Sequence, residues 1–151
     1  YQQPEKLIPY TIANLLSGKN IELYGDGENI RHWLHVEDTC LAVLNVMNNG
    51  KENSIYNIGS GQYFNNIEIA NKILEALKLG SDRITFVEDR PGHDFRYAVN
   101  FDELKNIGFA PVKDLDDEIS KIVEWYKENK SWWEEDYLKV LENRLKRTKL
   151  N

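Results

Sequence analysis

Hydrophobic residues follow two different periods along this chain, and the change of period separates predicted helices from predicted strands. Apolar side chains three or four positions apart indicate amphipathic helices, while short apolar runs between turn residues indicate strands. Helices are predicted over residues 37–49, 102–106 and 114–127. A further helix has apolar positions from Leu7, is regular from about Pro9 and ends at Gly18, and another is capped by Asn65-Asn66 and ends near Gly80. A charged helical segment begins at Trp132-Trp133. The predicted strands cover residues 21–24, 54–59, 83–87 and 97–99. This alternation predicts an α/β fold.

The stretch from Ile21 to Asp38 is the most informative part of the sequence. A short apolar strand leads into Gly25-Asp26-Gly27, and glycine tolerates the positive φ that hairpin turns require. We therefore expect a hairpin whose second arm returns through Trp33. Arg31 lies just past the turn, where its long side chain can reach a ligand that lies across it. The alternative is an ordinary surface hairpin with an exposed arginine.

A polar loop from Glu88 to Asp94 holds the densest group of charged side chains. Pro91-Gly92 favours a tight turn, so that Arg90 and His93 can point the same way. An arginine fork and a histidine donor suit a diphosphate, because both can donate hydrogen bonds to its oxygens. The open alternative is a solvated loop with local pairs between aspartate and arginine.

Three other motifs are weaker candidates for a functional site. Gly59-Ser60-Gly61 follows a predicted strand and could cradle a phosphate, but it does not extend to the Gly-x-Gly-x-x-Gly dinucleotide pattern. Tyr126 and Lys130 have the spacing of a catalytic Tyr-Lys pair, yet Tyr126 fits an apolar helical face, so we do not assign it as catalytic. The histidines lack the close spacing of metal ligands, so no metal site is expected.

Composition limits the classes of partner. The 151 residues are 41% hydrophobic and 29% charged, which suits one soluble globular domain. A net charge of −6 argues against nucleic acid, and no apolar run is long enough to span a bilayer, so neither nucleic acid nor membrane is expected as a partner. Cys40 cannot form an internal disulfide, which fits a reducing cytoplasm. Its place in an apolar helical pattern predicts a buried thiol.

The number of strands is low for the fold. Three or four short strands are few for a free-standing doubly wound sheet, and the sequence starts at Tyr1 without an initiator methionine. We therefore expect the chain to be part of something longer. The missing part would leave apolar surface exposed where it docks.

Several segments occur in a recognisable order. They are Tyr1-Gln2-Gln3-Pro4-Glu5-Lys6-Leu7-Ile8-Pro9, Tyr24-Gly25-Asp26-Gly27, Arg31-His32-Trp33-Leu34-His35-Val36-Glu37-Asp38, Tyr56-Asn57-Ile58-Gly59 and Asp89-Arg90-Pro91-Gly92-His93-Asp94. Together they resemble the C-terminal part of the extended short-chain dehydrogenases that modify nucleotide sugars, a resemblance that extends to about Tyr126. The first and last segments favour the dTDP-glucose 4,6-dehydratases within that family.

The resemblance implies a fold and a division of the chain. The implied fold is the C-terminal portion of an extended short-chain dehydrogenase of Rossmann type, with an incomplete sheet plus a small substrate-binding α/β domain. Residues 1–130 would form the substrate-binding part and include the last elements of the Rossmann sheet at about residues 37–60. Residues 131–151 would form a charged, helical C-terminal tail.

The resemblance also implies a nucleotide-sugar site, carried over residue by residue. Glu5, Lys6 and Leu7 would line the approach to the sugar and phosphates. Tyr24 would lie near the nucleobase, and Arg31 on the diphosphate. The remaining implied contacts are Asn66 to the nucleotide, and Arg90 and His93 to the ribose and diphosphate.

Three positions depart from the pattern of the family. Glu22 stands where proline is common beside the base, which makes the base preference less certain. His32 and His35 stand where aspartate and tyrosine are expected.

For the whole protein, the resemblance implies an NAD-dependent dehydratase. It would convert dTDP-glucose to dTDP-4-keto-6-deoxyglucose in the cytoplasm, in rhamnose and polysaccharide biosynthesis, as a homodimer. The NAD site and the catalytic residues would lie in an N-terminal half, so this chain alone would bind no NAD and would be inactive. The alternatives are the same part of a UDP-sugar 4-epimerase or decarboxylase, and a non-catalytic nucleotide-sugar-binding or interaction module.

Overall fold

The computed structural model describes residues 2–148, with side chains through residue 146. The helices are α1 Leu7–Leu16, α2 Val36–Asn49, α3 Asn66–Leu77, α4 Asp102–Asn106, α5 Leu115–Glu128 and α6 Lys130–Thr148, with a short 3₁₀ turn at Ser81–Arg83. The strands are β1 Ile21–Tyr24, β2 Ile30–Trp33, β3 Gln62–Asn65 and β4 Ile84–Val87. The predicted α/β organisation is confirmed, and Tyr1 and residues 149–151 lie outside the described residues.

The strands pair in two separate two-stranded sheets within the described chain. β1 pairs with β4 in parallel, from Ile21 opposite Ile84 to Tyr24 opposite Val87. β2 pairs with β3 in antiparallel orientation. The predicted hairpin between residues 21 and 38 is therefore wrong, because its two arms belong to different sheets.

The Gly25-Asp26-Gly27 turn redirects the chain from one sheet to the other. Gly27 has a φ of +77°, and a Cβ atom at this position would lie 3.2 Å from the Cβ atom of Ile67 on α3. The Gly27 carbonyl accepts a hydrogen bond of 3.1 Å from the Ile67 backbone N–H. The turn therefore packs against α3. This is a tertiary contact, which the local sequence does not predict.

Helix α3 starts where the sequence predicted. Asn65 accepts a hydrogen bond from the Glu68 backbone N–H, and the Glu68 carboxylate accepts one from the Asn65 backbone N–H. This reciprocal capping box satisfies two backbone donors that have no partner inside the helix. The cap fixes the boundary between β3 and α3.

Helices α1, α3, α5 and α6 enclose the main core together with β1. Ile12, Leu23, Ile73 and Val123 are at most 1% exposed within it. The core also takes in the charged C-terminal helix: Trp133 is 2% exposed, and its indole N–H donates to the Tyr126 carbonyl at 2.9 Å.

Two predicted strands are absent from the described structure. Residues 54–59 are irregular, with the Asn57 side chain donating to the Asn100 carbonyl at 3.1 Å. Residues 97–99 are also irregular, although a bridge joins Ile30 to Arg96 beside them. Both runs have the composition of strands, but a strand forms only when a neighbouring strand supplies hydrogen-bonding partners.

One face of α2 packs on the chain, and the other carries uncovered apolar side chains. Ala42 is buried against Leu104 and Phe109. Val36, Leu44 and Met47 are 66%, 53% and 75% exposed. This exposed apolar face of α2 agrees with the expectation of an incomplete sheet.

Cys40 lies on α2 and is exposed, so the prediction of a buried thiol is wrong. The apolar pattern around it is real, but it belongs largely to the exposed apolar face of α2 rather than to the core. In the part of the chain that the structure describes, no helix combines the length and the apolar character that a membrane span requires.

Candidate functional site

Parallel pairing of β1 and β4 brings distant parts of the sequence together. Tyr24 at the end of β1 lies opposite Val87 at the end of β4, so the loop 88–94 begins beside the turn that follows Tyr24. The Ile30 N–H then donates to the Phe95 carbonyl at 2.8 Å, which holds the far end of the loop against β2. This arrangement places the loop next to Arg31.

Arg31 is held in place by hydrogen bonds from both terminal nitrogens. Nη1 donates to the Ile30 carbonyl at 2.8 Å and to the Phe95 carbonyl at 3.4 Å. Nη2 donates to the Asp94 carbonyl at 3.0 Å and lies 2.9 Å from His93 Nε2. Arg31 therefore contributes a positive charge at a fixed position.

The Tyr97 side chain supports the same guanidinium from one face. The Tyr97 ring centroid lies 4.4 Å from the Arg31 Cζ atom, a cation–π contact. The Tyr97 hydroxyl donates to the Asp94 carboxylate, which raises the pKa of Tyr97. The sequence pattern did not mark this tyrosine, because its role depends on the bridge between Ile30 and Arg96.

His93 is nearly buried, with 5% of its side chain exposed. Its Nδ1 lies 2.7 Å from Asp89 Oδ1, and its Nε2 faces Arg31. The hydrogen bond between His93 and Asp89 lowers the pKa of the Asp89 carboxyl group. Both ring nitrogens are thus engaged within the protein, which differs from the sequence expectation of a histidine free to donate to a ligand.

Arg90 differs from Arg31 because it is exposed. Its Cζ atom lies 5.9 Å from the Tyr24 ring centroid. The Tyr24 ring also contacts His93 edge-on, at 6.1 Å between centroids. The structure therefore brings Tyr24, Arg31, Arg90 and His93 together in one cluster, called here the arginine cluster.

Of the other predicted residues, two share a cleft with Arg31. Lys6 and Leu7 line a cleft of about 800 Å³ that Arg31 also borders. Glu5 points to Lys6, with 3.0 Å between carboxylate and ammonium. The backbone N–H of Asn66 donates to the Asn29 carbonyl at 3.2 Å, so Asn66 lies beside the residue that precedes β2.

Lys113, Glu118 and His35 also line the cleft, and the sequence analysis gave none of them a role in the site. Lys113 Nζ lies 2.8 Å from a Glu37 carboxylate oxygen and 3.5 Å from one of Glu118. His35 Nε2 lies 3.8 Å from Glu118. The backbone N–H groups of Val112 and Lys113 donate to the buried carboxylate of Asp38, which fixes this segment.

The Gly59-Ser60-Gly61 loop does not offer a phosphate cradle. The backbone N–H groups of Ser60 and Gly61 donate to His32 Nε2 at 2.9 and 2.8 Å. Because His32 already occupies these donors, the loop does not fit the phosphates of a dinucleotide.

Tyr126 is buried and unsuited to acid–base work. It is 2% exposed, and its hydroxyl donates to the Gln2 carbonyl at 2.9 Å. Burial raises the pKa of Tyr126 to about 12, whereas a catalytic tyrosine needs a lowered pKa. In the described residues, no group of three or more His, Cys, Asp or Glu side chains is placed to hold a metal ion.

Known proteins are similar to this chain over most of its length. Residues 1–59 match the model of the NAD dependent epimerase/dehydratase family. A dTDP-glucose 4,6-dehydratase from Streptomyces niveus is 42% identical over 135 residues, which are 89% of this chain and 40% of that protein. The chain therefore spans about two fifths of the length of the curated relatives it matches.

Solved structures show the same relationship. A dTDP-glucose 4,6-dehydratase from Bacillus anthracis, in complex with NAD, matches with a TM-score of 0.85 and 40% identity, over 90% of this chain and 43% of that one. One from Streptomyces venezuelae, also with NAD bound, matches with a TM-score of 0.86 and 39% identity, over 90% of this chain and 42% of that one. The chain is thus similar to this family over residues 1–59 and to dTDP-glucose 4,6-dehydratases over about nine tenths of its length. These matches confirm the resemblance that the sequence motifs indicated, and the structural matches confirm the fold class.

Asp89 and Asp94 have contacts that the sequence analysis did not assign to them. Asp89 contacts His93, and Asp94 contacts Tyr97. These residues belong to the motif Asp89-Arg90-Pro91-Gly92-His93-Asp94, which the sequence analysis did mark. Their contacts were not predictable, because Arg31, the partner of His93, lies 62 positions earlier in the chain.

Proposed function

We propose that this chain is the nucleotide-sugar-binding portion of an NAD-dependent dTDP-glucose 4,6-dehydratase. The complete enzyme converts dTDP-glucose to dTDP-4-keto-6-deoxyglucose. The observation that supports the proposal most strongly is the arginine cluster, which joins two cations 59 positions apart in sequence. Arg90 lies over the Tyr24 ring, and Arg31 is linked to the same ring through His93. The similarity to dehydratases in both sequence and structure favours this substrate class.

The arginine cluster suits a nucleoside diphosphate. Arg31 supplies a fixed positive charge, and the exposed Arg90 supplies donors that are free to reorient onto phosphate oxygens. Tyr24 offers an aromatic surface for the base. Lys6 and Leu7 in the cleft would face the sugar, with Glu5 at its approach.

Binding of the nucleotide part contributes to catalysis by holding the sugar in position, because remote binding energy lowers the entropic cost of reaction. NAD bound in the complete enzyme would supply reversible hydride transfer to and from the sugar. The groups of this chain would hold the diphosphate and the base in place during the reaction. The NAD site and the acid–base residues belong to the N-terminal half of the enzyme in this proposal.

The exposed apolar face of α2 is the proposed contact for that N-terminal half. It presents Val36, Leu44 and Met47 on one helix, and Ile55 next to it in sequence is 88% exposed. Completion of the Rossmann sheet by this region would cover these side chains. The complete enzyme would act as a homodimer in the cytoplasm.

A UDP-sugar 4-epimerase or decarboxylase is the second candidate, and Glu22 is the observation that keeps it open. The proline expected beside a thymine base is absent, but the Glu22 carboxylate faces Arg144 of α6 at 3.5 Å. Glu22 is therefore oriented by α6, so the base preference has to be measured. A non-catalytic binding module is the third candidate.

Ligand binding tests the proposal. Isothermal titration of the complete gene product with dTDP-glucose and UDP-glucose should show tighter binding of the dTDP sugar. Arg31→Ala and Arg90→Ala should each weaken that binding by roughly 1.5–3 kcal/mol, through loss of charge-assisted interactions. Lys105→Ala is the matched control, because Lys105 pairs with Asp102 outside the arginine cluster.

The outcomes separate the candidates. Unchanged affinity in both arginine variants would refute the diphosphate assignment. Preference for UDP-glucose would favour the epimerase or decarboxylase. Binding of the dTDP sugar without any turnover in the presence of NAD would favour the non-catalytic module.

A further inference from the structure

A carboxylate, an imidazole and a guanidinium form a continuous chain beside the arginine cluster. Asp89 Oδ1 lies 2.7 Å from His93 Nδ1, and His93 Nε2 lies 2.9 Å from Arg31 Nη2. The imidazole in the middle has only 5% of its side chain exposed, while Asp89 has 41% exposed. The carboxylate thus controls a buried contact from a position near the surface.

The direction of each hydrogen bond follows from the chemistry of the end groups. Arginine has donors and no acceptor, so Arg31 Nη2 donates and His93 Nε2 accepts with its lone pair. The proton of the neutral ring then lies on Nδ1, which donates to Asp89. An acceptor at Asp89 therefore selects the one tautomer of His93 that can bind Arg31.

The same carboxylate oxygen also reaches the second arginine. Asp89 Oδ1 accepts a hydrogen bond of 2.8 Å from the Arg90 backbone N–H, which fixes the start of the Arg90 turn. One acceptor atom is therefore linked to Arg31 through His93 and to Arg90 through the backbone.

We propose that Asp89 is a positioning residue of the nucleoside-diphosphate site, which acts through His93 to orient Arg31 and through the backbone to orient Arg90. This inference deepens the proposed function and rests on it. Asp89 does not touch the ligand in this proposal, and its own charge opposes an anionic ligand. Its contribution comes from fixing the two cations.

The sign of the mutational effect separates positioning from simple electrostatics. If Asp89 acted only through its negative charge, its removal near a diphosphate should tighten binding of the ligand. If Asp89 positions the two arginines, Asp89→Ala should instead weaken binding of dTDP-glucose by about tenfold, the equivalent of one lost hydrogen bond to a charged group. Asp89→Asn retains an acceptor oxygen for His93 and should keep most of the affinity.

Two measurements on the complete gene product test the inference. Titration calorimetry with dTDP-glucose compares the wild type with Asp89→Ala, Asp89→Asn and the control Asp102→Ala, which removes an exposed carboxylate outside the arginine cluster. Nitrogen-15 NMR of the His93 ring reports its tautomer without any ligand. In Asp89→Ala the Nε2 signal should move from acceptor-like toward protonated, and in Asp89→Asn it should remain acceptor-like.

Each outcome decides the inference. Weaker binding and a changed tautomer in Asp89→Ala, with both rescued in Asp89→Asn, support it. Equal or tighter binding in Asp89→Ala, or an unchanged tautomer, overturns it. If the wild type does not bind dTDP-glucose, the proposed function fails, and the NMR experiment alone then decides whether Asp89 controls His93.

Discussion

Replacement of His32 should destabilise the fold, because this side chain joins β2 to the loop that precedes β3. Its Nε2 accepts hydrogen bonds from the backbone N–H groups of Ser60 and Gly61. Its ring stacks on Tyr63, with 4.4 Å between centroids. His32→Ala removes the acceptor and the stacking contact together.

The magnitude follows from these three contacts. A hydrogen bond contributes about 0.5–1.5 kcal/mol, and an aromatic pair contributes a similar amount beyond its buried area. His32→Ala should therefore lower the free energy of unfolding by about 2–4 kcal/mol. His32→Asp retains an acceptor at this position, and the loss should be smaller.

The stability that His32 contributes to the fold should decrease as the pH falls. Burial lowers the pKa of His32 from its ordinary value of 6.5. Since the folded state favours the neutral ring, this stabilisation is fully present above pH 6.5 and is lost as the pH falls through the lowered pKa. Protonation puts a hydrogen on Nε2, where it faces the N–H groups of Ser60 and Gly61.

Urea denaturation from pH 7.5 to pH 5 measures this contribution. The difference in unfolding free energy between wild type and His32→Asp cancels the contributions of His35 and His93 to a first approximation. As the pH falls, the unfolding free energy of the wild type should decrease more than that of His32→Asp. A parallel decline in both proteins would show that His32 does not act as the acceptor.

Two further changes test the fold. Gly27→Ala should destabilise the chain by about 1–3 kcal/mol, since it combines a positive φ with a close approach to Ile67. Gly18→Ala has a similar φ of +76° in open space, so a loss equal to that of Gly27→Ala would refute the role of the Ile67 contact. Trp133→Ala should cost about 3–5 kcal/mol in denaturant unfolding, because its buried ring joins α6 to α5. An unchanged midpoint would show that α6 does not contribute to the core.

Local signals in the sequence predicted local structure. Asn65 caps α3 as its sequence predicts, because a side-chain oxygen close to the first backbone N–H groups needs no distant partner. The helix predicted from residue 114 begins at Leu115, with Asp114 as its N-cap. The polar loop at residues 88–94 was also predictable from local sequence, because Pro91-Gly92 favours its turn.

Features that depend on distant contacts were not predictable in this way. The turn at Gly25–Gly27 has hairpin composition, but its direction is set by α3. Cys40 lies in an apolar pattern that faces outward, and periodicity alone does not say which apolar face is covered. The burial of His93 follows from contacts with Arg31 and Asp89, one of which is remote in sequence.

Turnover by the complete gene product tests the central claim most directly. The product should convert dTDP-glucose to dTDP-4-keto-6-deoxyglucose in the presence of NAD, as detected by NMR of the sugar C6 protons. The expected reaction product has a C6 methyl group and a keto group at C4. Formation of a C4 epimer from UDP-glucose, with no dehydration of dTDP-glucose, would contradict it.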